Sequence, residues 1–473
     1  MASLPQPAPY CADPAILALG GDFYDEVKAA DFPQTILRFR NDRWAPNVGL
    51  GDLDDADWLR HFGRFEALPG NLPLPLALRY HGHQFRVYNP DIGDGRGFLF
   101  AQMRDAQGRL LDLGTKGSGQ TPWSRFGDGR LTLKGAVREL LATEMLEALG
   151  VETSKTFSIV ETGEALERND EPSPTRAAVL VRLSHGHIRI GTFQRLATLD
   201  QPDNIRKLVA YCLRTYFGEE GEDGEDGDGE EAAARLLDHA TARTARLAAS
   251  YIAAGFVHGV LNSDNINITG ESFDYGPWRW TPLWEPHFTA AYFDHAGLYA
   301  FGRQPEAIHW DLVQLALALK PVAPVERLTA MLEHFPACFQ EALRDALFAR
   351  LGIQTGDMPE DMKLVVAIEE ALARKTATID RFFFDWRGGR LRGTDEAYAG
   401  FDELRALIAE REALPGALDH PYWSDADPCT MHIEEVEAIW SRIDEADDWS
   451  ALHAKVDAVR RMGAAMRLTR TGA

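Results

Sequence analysis

Between His258 and Tyr275 the chain reads HGVLNSDNINITGESFDY, and no other stretch constrains the fold as tightly. It follows an alanine-rich run with helical period, EAAARLLDHATARTARLAASYIAAGF, and sets His258, Asp264, Asn265 and Asp274 close together in sequence. An amide oxygen and a carboxylate are hard ligands that suit magnesium, and a second carboxylate beside them can take a proton. Transferring part of a nucleotide also needs cations to hold its phosphates.

A kinase catalytic loop has this layout: His-x-Asp, a metal-binding Asn five residues later, then an Asp-led metal loop. His258 and Asn265 fall on the His and Asn places, Asp274 heads the metal loop, and Val260 stands where the catalytic Asp belongs. Valine can neither accept a proton nor orient a hydroxyl. Asp264 is the carboxylate left to act as base. On these residues three readings stay open: a transferase moving part of a nucleotide, a γ-phosphate kinase or phosphotransferase, and a catalytically dead nucleotide-binding scaffold. Lys116, Asn265 and Asp274 together argue against the scaffold, because binding alone needs no complete metal pair.

Candidates for those cations lie upstream. Residues 97 to 116 read as a strand hairpin turning at Asp105 to Gly108 and ending on Lys116. A glycine-rich loop from Gly117 to Arg130 follows, then a helix over 131 to 149 with Val137, Leu140, Leu141, Leu146 and Leu149 on one side, and strand-like runs at Thr156 to Glu161 and Ala177 to Leu183. Lys116 and Glu139 come in the order of the ion pair that aims a lysine at phosphate. The helical wheel alone favours Glu144 as the inward carboxylate, since Glu139 lies nearly opposite the apolar stripe. Gly93 to Gly97, GDGRG, could let the backbone approach a phosphate. Arg125, Asp128, Gly129 and Arg130 sit in the second loop, and Arg182 and Arg189 add cations. The pairs His81 with His83 and His185 with His187 lack a third zinc-type ligand and are expected to make structural hydrogen bonds.

Taken together these motifs resemble the selenoprotein O family of kinase-fold pseudokinases. The matching segments are HGHQF (His81 to Phe85), NPDIGDGRG (Asn89 to Gly97), LGTKGSGQTPWSRFGDGR (Leu113 to Arg130), VRE (Val137 to Glu139), the segment from Arg182 to Arg189, and GFVHGVLNSDN with DYGPW. The resemblance covers roughly residues 75 to 320. It implies an α+β, protein-kinase-like two-lobed fold with N-terminal and helical C-terminal extensions. It also implies a flipped ATP, so that AMP passes to Ser, Thr or Tyr hydroxyls of proteins. Position by position, it makes Asp264 the base and Asn265 and Asp274 the ligands of Mg²⁺, or Mn²⁺ in its place. Gly93, Gly95, Arg96, Lys116, Asp128, Gly129, Arg182, Arg189 and Asp274 contact the nucleotide, and Glu139 pairs with Lys116. Arg86 replaces the glycine expected after HGHQF, and the chain lacks the C-terminal selenocysteine or cysteine of many members, so thiol switching of that kind is not expected.

The remaining expectations come from size and charge. The 473 residues divide into an N-terminal extension (1–75), a small lobe (76–190), a large lobe (191–375) and a helical C-terminal appendage (376–473). A formal charge of −23 disfavours nucleic acid and anionic membranes, so any phosphate site must be a local basic pocket. Four scattered cysteines, no leader-like N-terminus and no apolar run of about 20 residues point to a soluble cytoplasmic protein; the sequence does not reveal its oligomeric state, and a monomer is the expectation. The acidic run from Gly218 to Ala232 is expected to be a solvated loop whose register does not fit a calcium site.

Overall fold

The computed structural model describes residues 6–169, 171–219 and 229–467, so most of the acidic run and the end of the chain lie outside the described residues. The first half of the chain supplies ten strands: β1 (Tyr24–Glu26), β2 (Ile36–Arg40), β3 (Leu76–Leu78), β4 (Gly82–Gln84), β5 (Val87–Asn89), β6 (Leu99–Arg104), β7 (Leu110–Lys116), β8 (Leu131–Thr132), β9 (Lys155–Leu166) and β10 (Thr175–Ser184). Eight of them form one sheet in the order β1-β3-β6-β7-β10-β9-β2, with β8 pairing β10 off that path; all its pairings are antiparallel. The β6–β7 hairpin turns where expected, because Asp105 Oδ1 accepts hydrogen bonds from the amides of Gln107 and Arg109, both at 2.9 Å.

The N-terminal 75 residues do more than wrap this sheet. They contribute the strands at its two ends, β1 and β2, and so cover backbone that would otherwise stand open. They also bury one sheet face: Trp44, Trp58 and Phe62 pack with Phe100, Phe157, Val179 and Val181. Helix α1 (Asp55–Phe62) starts on Asp54, whose carboxylate accepts from the Asp57 amide. The other face takes α2 (Leu133–Ala148), started by Thr132, whose hydroxyl accepts from the Gly135 amide at 3.1 Å.

Beyond the sheet the chain is mainly helical. Helices α3 (Ile190–Thr198), α4 (Pro202–Tyr216) and α5 (Gly229–Ala254) lead to a short ribbon of β11 (Phe256–Val257) and β12 (Arg279–Trp280). These two strands pair antiparallel, so the segment 258–278 between them is a closed loop with fixed ends. Next come α6 (Gln304–Leu319), α7 (Val325–Leu332), α8 (Phe335–Leu351), α9 (Met358–Ala373), α10 (Ile379–Asp385) and α11 (Asp402–Ala409). The segment 325–351 thus forms two helices, α7 and α8. Pro336 lies in the first turn of α8, and a proline cannot donate to the carbonyl four residues back.

The last helices, α12 (Ile433–Ala446) and α13 (Ser450–Arg467), return to the sheet-bearing lobe. Helix α13 lies along α2, close enough that a Cβ on Gly463 would stand 3.1 Å from Ala148 Cα. Glu144 faces this side, where Arg460 holds it at 2.7 and 2.9 Å and Arg43 approaches within 3.6 Å. Helix α2 is thus covered on two sides, which is why both Glu139 and Glu144 are buried although the apolar stripe predicts one inward carboxylate. Replacing Arg460 by Ala leaves a buried carboxylate with only the more distant Arg43. We expect Arg460→Ala to lower unfolding free energy by about 2 kcal/mol, read as a shift of the urea midpoint.

Candidate active site

One cavity of about 710 Å³ opens between the sheet and the closed loop. Gly93, Gly95, Arg96, Lys116, Asp128, Gly129, Arg182, Arg189, Asp264 and Asp274 all line it. Glu139 and Asn265 do not. Glu139 stands behind Lys116, and Asn265 is the neighbour of Asp264 in a single 3-10 turn, Ser263–Asn265.

The floor of the cavity is cationic and buried. Lys116, at the end of β7, places Nζ 2.7 Å from Glu139 Oε2 and 2.8 Å from Asp274 Oδ1, joining a strand, a helix and the metal-type loop. Strand β10 pairs with β7 so that Leu180 faces Lys116, which sets Arg182 two residues along the same edge; its guanidinium lies 3.9 Å from Asp274. Arg189 precedes α3 and bridges to Asn267 of the closed loop. Its guanidinium donates to the Tyr80 hydroxyl, to the Asp264 carbonyl at 3.1 Å and to Asp94 at 3.2 Å. It is also sandwiched between the Tyr80 ring (4.4 Å) and the Phe273 ring (4.9 Å). Planar stacking and a fork of donors fix this group in one orientation.

Two carboxylates in this cavity are driven in opposite directions. Burial alone would raise Asp274, but Lys116, Arg182, Arg96 and Arg189 outweigh it and hold the carboxyl well below the usual range. Burial pushes Asp264 up to about 6 against the pull of Arg189, and Asp274 adds to the rise. Asp264 Oδ1 is buried and accepts no hydrogen bond. Asp274 takes a left-handed φ of +61°, a conformation Asp tolerates better than most side chains. His258 is kept neutral by burial and donates Nε2–H to the Phe273 carbonyl at 3.0 Å, tying the start of the closed loop to the residue before Asp274. Asn265 donates its amide nitrogen to the Val260 carbonyl at 3.1 Å, which leaves the amide oxygen as its free acceptor. Val260 thus holds Asn265 through its backbone.

Glycines at the rim are dictated by contact. A Cβ on Gly93 would meet the Trp123 ring at 2.6 Å, so this loop packs directly on the second one. A Cβ on Gly129 would stand 2.3 Å from Gly119, and its φ is +69°. The two glycine-rich loops are one unit.

The model of the family described as protein adenylyltransferase SelO matches residues 10–404. The chain belongs to the SelO family. A protein nucleotidyltransferase YdiU of Synechocystis sp. is 43% identical over 92% of this chain and 95% of its own length. Its namesake in Trichormus variabilis is 44% identical over 95% and 96%. One in Hahella chejuensis is 35% identical over 76% and 71%. Among solved structures, a Toxoplasma gondii rhoptry antigen kinase domain is similar at a TM-score of 0.27 and 11% identity, over 64% of this chain and 84% of that one.

Several site-building residues of this SelO-family chain carry no signal in sequence. Asp94 and Tyr80 clamp Arg189, and only the fold brings them to it. Asp311, on α6, is buried with neither carboxylate oxygen accepting a hydrogen bond; burial, then the Asp264 charge, push its carboxyl well up. The β4–β5 hairpin covers the closed loop from outside, with the His83 amide donating to Ser263 and the Phe85 amide to Asn262. Its two turn residues, Phe85 (φ +50°) and Arg86 (φ +63°), both adopt left-handed backbone, which is why a glycine is expected at Arg86. Arg86 is held there by Glu306 at 3.0 Å and by Trp310. The paired histidines make side-chain or packing contacts and no metal-type cluster occurs among the described residues: His81 to Tyr88, His83 to Gln194, His187 to Asp112 and His185 against Tyr216. No helix among the described residues is long and apolar enough to cross a membrane.

The Asp264 shift has a consequence for stability. The folded carboxyl keeps its proton up to about pH 6, whereas the unfolded one releases it near the ordinary aspartate value of 3.8. The folded state therefore binds more protons between those values, and Asp264 subtracts stability as pH rises through that window. We expect the uncharged, isosteric Asp264→Asn to be more stable than wild type at pH 8 by on the order of 2 kcal/mol in metal-free buffer, with the gain shrinking toward pH 4.5. Urea unfolding at the two pH values reads this, and an equal difference at both would contradict it.

Proposed function

We propose that this SelO-family chain is a protein adenylyltransferase that moves AMP from ATP to Ser, Thr or Tyr hydroxyls of proteins and releases pyrophosphate. The observation that carries the reading is the placement of charge. Lys116, Arg182 and Arg189 form a buried cationic floor, while Asp264, whose Oδ1 has no hydrogen-bond partner, stands at the same cavity. Cations that deep suit a nucleotide whose terminal phosphates point inward and leave as pyrophosphate, with the α-phosphate presented to the acceptor.

Asp264 suits a general base. A carboxylate near pKa 6 is ionised at neutral pH yet basic enough to take the hydroxyl proton as the acceptor oxygen attacks the α-phosphorus. The bond from that phosphorus to the bridging oxygen breaks, and the charge gathering on pyrophosphate meets Lys116, Arg182 and Arg189. Glu139 holds Lys116 extended toward the phosphates and so acts as a positioning residue. The backbone at Gly93, Gly95 and Gly129, with Arg96 and Asp128, lines the path of the nucleotide.

Asn265 and Asp274 fit a divalent cation. The amide oxygen that accepts no bond and the carboxylate kept ionised by its neighbours are hard oxygen donors of the kind Mg²⁺ takes, and Mn²⁺ accepts the same set. Such an ion, shared with the phosphates, would neutralise charge on them and fix their orientation. Val260 in the usual position of the base fits a chemistry whose base has moved to the cavity at Asp264.

The test is ATP labelled at either the α- or the γ-phosphate, supplied with Mg²⁺ and candidate acceptor proteins. Label from the α position is expected on protein, and Asp264→Ala, Asp274→Ala and Lys116→Ala are each expected to lower transfer by at least about 100-fold. Transfer from the γ position alone would establish a kinase instead. ATP binding without transfer to any acceptor would make the chain a nucleotide-binding scaffold.

A further inference from the structure

The cationic floor accounts for the phosphates of a nucleotide and leaves its base unassigned. Among the residues lining the cavity only Tyr80, Trp123 and Phe126 carry an aromatic ring, the usual platform for a purine. Tyr80 is buried and covered by the Arg189 guanidinium, and the Trp123 ring is packed against Gly93 and donates Nε1–H to Asp25 at 3.0 Å. Phe126 is different. Its ring is fully exposed and makes no ring contact among the described residues, yet it lines the same cavity as Lys116 and Asp264.

The loop that carries Phe126 is not loose. Its base is closed by the Gly119 amide donating to the Gly129 carbonyl at 3.1 Å and by Gln120 Nε2 donating to the Gly127 carbonyl at 2.8 Å. Its inner side is tied to the first glycine loop, where Thr121 donates to the Asp94 carbonyl and Ser124 to the Gly95 carbonyl. Asp128, on the outgoing arm, is ion-paired with Arg168 at 2.8 Å. Arg125 then turns the backbone through a left-handed φ of +53° immediately before Phe126. A rigid base and a strained tip holding a bare phenyl ring in water make a poor folding element and a good ligand contact, since such strain collects at ligand clamps.

We propose that Phe126 is the nucleobase platform of this site: the purine of ATP stacks on its ring while the triphosphate runs inward to Lys116, Arg182 and Arg189. This rests on the nucleotide reading above and adds to it the residue that holds the base. The direction follows from the two ends of the cavity, cations on the buried floor and the one uncovered aromatic ring on the exposed loop.

Calorimetric titration of the full-length protein with Mg-ATP and with Mg-tripolyphosphate separates base from phosphates. Phe126→Ala is expected to bind ATP about tenfold more weakly, a change of ~1.4 kcal/mol, to bind tripolyphosphate as wild type does, and to melt at the wild-type temperature. Phe126→Trp should restore ATP affinity and add a fluorescence quench, beyond that of wild type, with ATP and not with tripolyphosphate. Unchanged ATP affinity in Phe126→Ala overturns the proposal. So does an equal loss for both ligands, which would make the loop a phosphate clamp, or a defect confined to the KM of an acceptor protein. Wild type that binds neither ligand removes the nucleotide reading as a whole and this inference with it, whereas α-label transfer by wild type with intact ATP affinity in Phe126→Ala removes only the stacking.

Discussion

The ammonium of Lys116, held between Glu139 and Asp274, is the contact on which the site depends. It is buried, as are both its strand and its helix partner, so the charge has lost its water and must be compensated by the two carboxylates. That requirement fixes three elements at once: β7 through the lysine, α2 through Glu139, and the closed loop between β11 and β12 through Asp274. The compensation is incomplete on one side, since Glu139 Oε1 has no hydrogen-bond partner. A cationic floor with a carboxylate that can be drawn elsewhere is suited to an anionic ligand.

An acidic protein therefore builds a basic pocket by position and not by composition. With a formal charge of −23 the surface as a whole repels anions, but Lys116, Arg182 and Arg189 are buried, where their field is less screened than at the surface. The same field separates two carboxylates in one cavity. Asp274 touches the cations and stays ionised, while Asp264, whose backbone carbonyl takes the Arg189 hydrogen bond, leaves its own oxygen Oδ1 without a partner. Carboxylates pushed apart in this way are suited to different roles.

The termini complete the frame around that pocket. The N-terminal segment supplies the strands at both ends of the sheet order, so the sheet holding Lys116 and Arg182 has no long open edge. From the other end of the chain, α13 lies on α2 and neutralises Glu144, and Arg176 of β10 reaches the carbonyl of Ile443 and the carboxylate of Asp447. Helix α2 is thereby pressed between the cleft and α13, which keeps Glu139 pointed at Lys116.

Much of this was written in the sequence, because short-range chemistry needs fixed spacing. The Asp105 to Gly108 turn, the run from His258 to Asp274, the glycines at 93 and 129 and the arginines at 182 and 189 are legible because each depends on neighbours a few residues away or on a motif of set length. The acidic lean of the chain, and the valine at 260 with a carboxylate four residues on at Asp264, are legible for the same reason. What sequence could not decide is where two faces of one element are both covered. The wheel of α2 selects Glu144, and only the packing of α13 makes room for both Glu144 and Glu139. Asp94, Tyr80, Asp311 and the bare ring of Phe126 gain their meaning from partners far away in the chain, and distance in sequence carries no information about burial or field. Tertiary structure decided them, since the cost of an unpaired buried charge depends on what surrounds it in space.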